Sequence, residues 1–209
     1  MKTRTKVLGL MMAAVLLVSA TIFGTMAYLT STDEVTNTFT VGNVAITLDE
    51  AKVDATTGKK ITGEGAARVK ENSYKLLPGH EYDKDPTVHV AADSEECWLF
   101  VKVENGISAI EDSSNTIASQ LEANNWTPVA EGSNVYCRET TNKAGDNQVV
   151  FEHFTISGNV DNNTLAGFAT TYEEGNKTPA TNFITVTAYA VQRDGFDNAK
   201  AAWDAAQFN

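Results

Sequence analysis

Thr38-Phe39-Thr40-Val41-Gly42-Asn43-Val44-Ala45-Ile46-Thr47-Leu48-Asp49-Glu50 alternates apolar and polar side chains with the period of a strand. Phe39 and Val41 take odd positions, and Val44, Ile46 and Leu48 even ones. The parity changes across Gly42-Asn43, which reads as a bulge or tight bend inside one extended stretch. Outward from it, similar alternation predicts strands over residues 88–90, 97–104, 134–139, 148–157 and 182–192. Pro78-Gly79 is a turn, and the Thr-, Gly- and Lys-rich residues 54–65 predict a mobile hairpin. Two stretches have helical spacing. Ser114 is placed to cap residues 115–124, turning Ile117 and Leu121 toward the sheets. Residues 197–207, with Phe196, Ala199, Trp203 and Ala206 in one stripe, predict a lid packed on the sheets. Many short strands and few helices predict a mainly β fold: a two-sheet, jelly-roll-like sandwich with one or two short peripheral helices. Trp98, Phe100, Phe151, Phe154, Phe183 and Tyr189 are its expected core aromatics.

The N-terminus sets the expected compartment. Lys2, Arg4 and Lys6 precede an uncharged apolar run over residues 7–23, and small residues stand at Thr25 and Ala27. This predicts a signal helix over residues 1–27, cut between Ala27 and Tyr28 by a signal peptidase. An uncleaved anchor is the competing reading, and the membrane would then be met only through that segment. Residues 28–38 form an extension ahead of a single domain over residues 39–209. Cleavage takes 27 of 209 residues and leaves 182, enough for one buried core. The removed segment holds three of the sixteen basic residues and no acidic ones, so the mature charge is 13 − 27 = −14. Such a surface repels phosphate backbones, which argues against nucleic-acid partners. Cys97 and Cys137 leave two readings open. One is a disulfide closing a loop of about 40 residues, worth ~4 kcal/mol in the chain-entropy model. The other is a pair of thiols.

Three segments carry a family resemblance. Gly24-Thr25-Met26-Ala27-Tyr28-Leu29-Thr30 runs into Val35-Thr36-Asn37-Thr38-Phe39-Thr40-Val41-Gly42-Asn43-Val44. Pro78-Gly79 precedes Lys84-Asp85-Pro86-Thr87-Val88, and a late stretch reads Val186-Thr187-Ala188-Tyr189-Ala190-Val191-Gln192. Together they resemble the TasA/camelysin family of secreted biofilm-matrix fibre proteins. The resemblance implies a jelly roll, export through a dedicated signal peptidase of the SipW type, cell-surface or matrix localisation, and self-assembly into fibres. A jelly roll with an open edge can accept an extended segment from a neighbour. Residues 28–39 are the candidate donor, with Leu29, Val35 and Phe39 on one parity and Asp33 and Glu34 interrupting them. The plainer reading is a polar linker.

Some members of that family are described as cell-surface metalloproteases, so catalytic patterns deserve a test. A helical zinc motif needs two imidazoles one turn apart around a general-base carboxylate. His80-Glu81 begins that way, but Lys84 stands where the second histidine belongs, and Pro78-Gly79 puts the segment in a turn. His89 and His153 fall in predicted strands, where a satisfied imidazole is the ordinary role. No Gly-x-Ser-x-Gly occurs. Glu95-Glu96, Asp93 and Glu111-Asp112 read as solvated loop charge, and Asp161-Asn162-Asn163 lacks EF-hand spacing. The expectation is a structural protein without catalytic site, metal or cofactor, whose partner is itself. The alternatives are a non-polymerising surface adhesin and a camelysin-type protease.

Overall fold

The computed structural model describes residues 11–12, 43–139, 145–168 and 183–208. The chain divides into Met1–Val41 and Gly42–Asn209. Of the first unit only Met11 and Met12 are described, helical and exposed. The predicted cleavage site at Ala27 and Tyr28 and the donor positions Leu29, Val35 and Phe39 lie outside the described residues.

In the second unit the strands are β1 (Ile46–Ala51), β2 (Arg68–Val69), β3 (Glu81–Asp83), β4 (Thr87–Val90), β5 (Cys97–Asn105), β6 (Thr127–Pro128), β7 (Val135–Glu139), β8 (Asn147–Val149), β9 (His153–Thr155) and β10 (Ile184–Gln192). The helices are α1 (Ile117–Ala123), α2 (Asn162–Phe168) and α3 (Ala199–Ala206). Among the described residues strand outweighs helix, 34% to 14%, so the fold is mainly β. Three antiparallel sheets form, in the orders β2-β1-β4-β8, β10-β5-β7-β6 and β3-β9.

β5 organises the core because both its faces are apolar. Cys97, Leu99, Val101 and Val103 point inward to a cluster with Val88 and Val90 of β4, Phe154 of β9, and Ile117 and Leu121 of α1. Trp98 and Phe100 point outward to a second cluster closed by Ala199 and Ala202, with Trp203 packed against it. Two four-stranded sheets thus contribute to one inner core, and α3 covers the outer face of one of them. Tyr82 stacks on Phe154 at 5.0 Å, and Tyr74 meets both rings edge-on.

The caps set the helix limits. Thr116, not Ser114, caps α1, its side chain accepting from the Ser119 N–H at 3.1 Å. Ser114 is engaged instead with Asp112. Asn198 caps α3 through the Ala201 N–H at 2.9 Å. The expected strand over residues 148–157 is two strands. The chain leaves β8 at Val150, whose N–H donates to Pro86, and β9 pairs with β3 instead. Phe183 is 43% exposed and is not a core residue.

Residues 53–60 form a hairpin that is bonded to the chain beside it. Val53 bridges Lys60, Asp54 accepts from the Thr56 and Thr57 N–H groups, and the Asp83 N–H donates to Gly58. Gly58, at φ 67°, lies so close to Tyr82 that a Cβ there would fall 2.2 Å from its ring. Cys137 pairs with Phe100 and faces the outer cluster, while Cys97 faces the inner core. On opposite faces of one sheet the Cys97 and Cys137 side chains point apart, and no disulfide joins them in this structure.

Candidate strand-accepting edge and the polar face

Sheet edges offer backbone groups to any passing strand, and proteins blunt them with brevity, charge or proline. Three of the four edges of the two four-stranded sheets are short. β2 has two residues including Arg68, β6 is Thr127–Pro128, and β8 spans three residues. β10 is different. Its nine residues, Ile-Thr-Val-Thr-Ala-Tyr-Ala-Val-Gln, contain no charge and no proline. One side pairs with β5 along its whole length, from Ile184 opposite Asn105 to Gln192 opposite Cys97. On the other side no strand among the described residues pairs with it. Ile184, Val186, Ala188 and Ala190 pack on the inner core, while Tyr189 and Val191 join the outer cluster. Both faces therefore pack against apolar clusters, while the outer edge is unpaired among the described residues.

The outward face of β1, β4 and β8 is polar. His89 Nε2 lies 2.7 Å from Asp49, and Nδ1 lies 2.6 Å from the Asn147 side-chain oxygen. Arg68 donates to Asp49 at 2.6 Å and to Asp85 at 3.2 Å. Asp85 also accepts from the Ala51 N–H at 2.7 Å and pairs with Lys60 at 3.1 Å. Burial opposes the ionisation of Asp49, but hydrogen bonds and charge from His89 and Arg68 outweigh it and hold that carboxyl below its usual range. Asp83 behaves alike, burial being overcome by the Lys60 N–H and by Lys59.

A separate polar group lies on the inner side of β1. Glu50, 4% exposed, accepts from Lys84 Nζ at 2.5 Å through one carboxylate oxygen and from Asn72 Nδ2 at 2.9 Å through the other. The Asn72 carbonyl oxygen accepts from the Val53 N–H at 3.0 Å, and its Nδ2 also donates to the Ala51 carbonyl at 2.9 Å. The Tyr74 phenol, which donates to the Asp83 carbonyl, is pushed far up first by burial and then by the charges of Glu50, Asp85 and Asp83.

The other residues marked in the sequence are dispersed. His80 is exposed in the turn after Gly79, and His153 in β9 meets Asn115 at 2.6 Å and Glu81 at 3.8 Å. His89 has its own partners on another sheet. Asp161 accepts from the Thr164 N–H at 2.7 Å, in the first turn of α2. Glu111 is not loop charge: it accepts from the Ile117 N–H at 2.7 Å and from Asn105 at 3.0 Å. Burial pushes its carboxyl up. Among the described residues no three His, Cys, Asp or Glu side chains converge in a metal-binding arrangement, and no helix is long and apolar enough to cross a membrane. Comparison with protein-family models, with curated proteins and with solved structures finds no match to this chain.

Proposed function

We propose that this chain is an exported structural protein, a subunit of extracellular-matrix or cell-surface fibres that assembles by strand donation between copies. The observation that carries the reading is the uncharged, proline-free outer edge of β10. An extended segment laid along it gains main-chain hydrogen bonds, and alternate side chains supply register. The donor in this reading is the segment over residues 28–39 of a second copy, released by a dedicated signal peptidase cutting between Ala27 and Tyr28. Leu29, Val35 and Phe39 are then its inward side chains. The finer fold in this reading is a jelly roll behind a signal helix, and the resemblance to the TasA/camelysin family supports it. The acidic composition, with 27 Asp and Glu against 16 Lys and Arg, suits a subunit that stays soluble until it assembles. This reading gives the chain no catalytic activity, cofactor or nucleic-acid partner.

The test starts from mature protein beginning at Tyr28. Light scattering and electron microscopy should show filaments, and deletion of residues 28–37 should leave a folded protein that forms none. Thr185→Lys, which adds a charge to the exposed start of β10, should slow assembly of the otherwise complete chain. Undiminished filaments from the folded deletion variant would rule out donation by this segment. A mature protein that never forms filaments would favour the adhesin.

A further inference from the structure

Lys84, Glu50 and Asn72 bring together an amine, a carboxylate and a primary amide, with the carboxylate bonded to both others. The three come from different parts of the chain: β1, the segment after β2, and the segment between β3 and β4. We propose that this group is a self-modifying site, in which Glu50 catalyses an amide bond between Lys84 Nζ and Asn72 Cγ with release of ammonia.

The chemistry needs three things, and each has a named atom. The nucleophile must lose a proton, and the Glu50 oxygen 2.5 Å from Nζ is placed to take it. The amide carbonyl must tolerate negative charge as the nitrogen attacks. The Val53 N–H, 3.0 Å from Asn72 Oδ1, is a fixed donor for that charge. The departing nitrogen must be protonated, and Asn72 Nδ2 already sits 2.9 Å from the second Glu50 oxygen. Glu50 thus passes the proton taken from Lys84 to the leaving group. The bond formed is Nζ–Cγ and the bond broken is Cγ–Nδ2. The proton left over stays on Glu50 or departs with ammonia as ammonium, so charge and atoms balance without an oxidant, a metal or a second substrate.

Burial favours the reaction over the ion pair that precedes it. Glu50 is 4% exposed, and the Lys84 side chain 12%. A charged pair held there bears a desolvation cost that a neutral amide does not. Tyr74, Tyr82 and Phe154 form the aromatic cluster beside the site, and the neutral phenol of Tyr74 adds no competing charge. Holding the groups in place replaces an encounter that free amines and amides in water rarely complete. The product ties the segment before β4 to the segment after β2 by a covalent bond that reducing agents do not cleave.

Peptide mapping of the purified folded protein decides the matter, independently of whether the chain is exported or polymerises. Trypsin should fail to cut after Lys84, and residues 71–75 should be recovered joined to residues 76–102, lighter than the two separate peptides by one ammonia. Glu50→Gln should abolish the branched peptide while circular dichroism reports an unchanged fold. Recovery of residues 71–75 and 76–84 as separate peptides from the wild-type protein overturns the proposal. This includes the case where Asn72 has lost ammonia by cyclising on its own backbone, because Lys84 is then still cleaved. A branched peptide that persists in Glu50→Gln overturns the role given to Glu50. If that variant does not fold, the wild-type map still decides whether the bond exists.

Discussion

On the sheet built around β5, the outward side chains Trp98 and Phe100 are sealed beneath α3. On the sheet built around β4, the outward side chains of β1, β4 and β8 include Asp49, His89 and Asn147, tied to one another and to Arg68 while still meeting water. Both faces belong to antiparallel sheets that share one inner core, so the difference is not one of topology. It follows from which residues occupy the outward parity. An apolar outward parity recruits the C-terminal helix and turns a surface into a second core. A charged one cannot be dried cheaply and stays accessible, its groups neutralising one another at modest gain.

The contrast breaks most visibly at Phe100. Phe100→Ala should cost about 3–5 kcal/mol in denaturant unfolding, because its ring is fully buried and packs on Trp203 at 5.1 Å. Thr47→Ala, on the exposed outward parity of β1, should stay within about 0.5 kcal/mol. Equal losses at the two positions would show that α3 does not close the outer cluster.

An intermediate effect is expected at Asp85, which is 9% exposed and serves the Ala51 N–H, Arg68 and Lys60 together. Asp85→Ala should cost about 1–3 kcal/mol by leaving those donors without their acceptor. Asp49→Ala, more open to water, should cost less in the same assay.

The smallest effect is electrostatic. Asp49 and Asp83 are held below their usual range in the folded state, so each adds stability that is present above its unfolded value. That stability is lost as pH falls through the folded value. Lys59 has the opposite sign. Burial lowers it, but hydrogen bonds from it to Glu81 and Asp83 raise it overall, so its contribution is lost as pH rises through its folded value. Asp49→Asn should flatten the acid limb of a stability–pH curve by a few tenths of a kcal/mol, about what a partly solvated pair yields. Added salt should shrink the difference, and an unchanged acid limb would show that Asp49 takes no part in it.

What could be read in advance follows the same physics. β5 and β10 were legible because each is a long run of β-branched and aromatic residues, and α1 because Ile117 and Leu121 repeat at helical spacing. The shorter elements were not. β3 is Glu81-Tyr82-Asp83, which has no strand signature until β9 lies beside it. Residues 54–65 have the composition of a loose loop, and only the structure shows Gly58 fitted against Tyr82 and the lysine contacts to Glu81 and Asp83. Number and compartment left Cys97 and Cys137 open between a disulfide and two thiols. Their separation onto two faces depends on the β5–β7 register, which spacing does not encode. The absence of edge protection along β10 is visible in its composition, but that it is an edge is not. Lys84, Glu50 and Asn72 share no motif, and only the fold assembles them.

The pairing of β5 with β10 also has a consequence in time. Gln192 lies opposite Cys97 and Ile184 opposite Asn105, so the central strand waits for the last strand before one flank is complete. Helix α3, which shields Trp98 and Phe100, comes later still. A chain emerging from the ribosome therefore holds β5 without one flanking partner until residues 184–192 have been made. Such non-local closure is slow, and it exposes an aggregation-prone strand meanwhile. A chaperone acting on the nascent chain has a definite target in Cys97–Asn105, and a definite moment of release when β10 arrives.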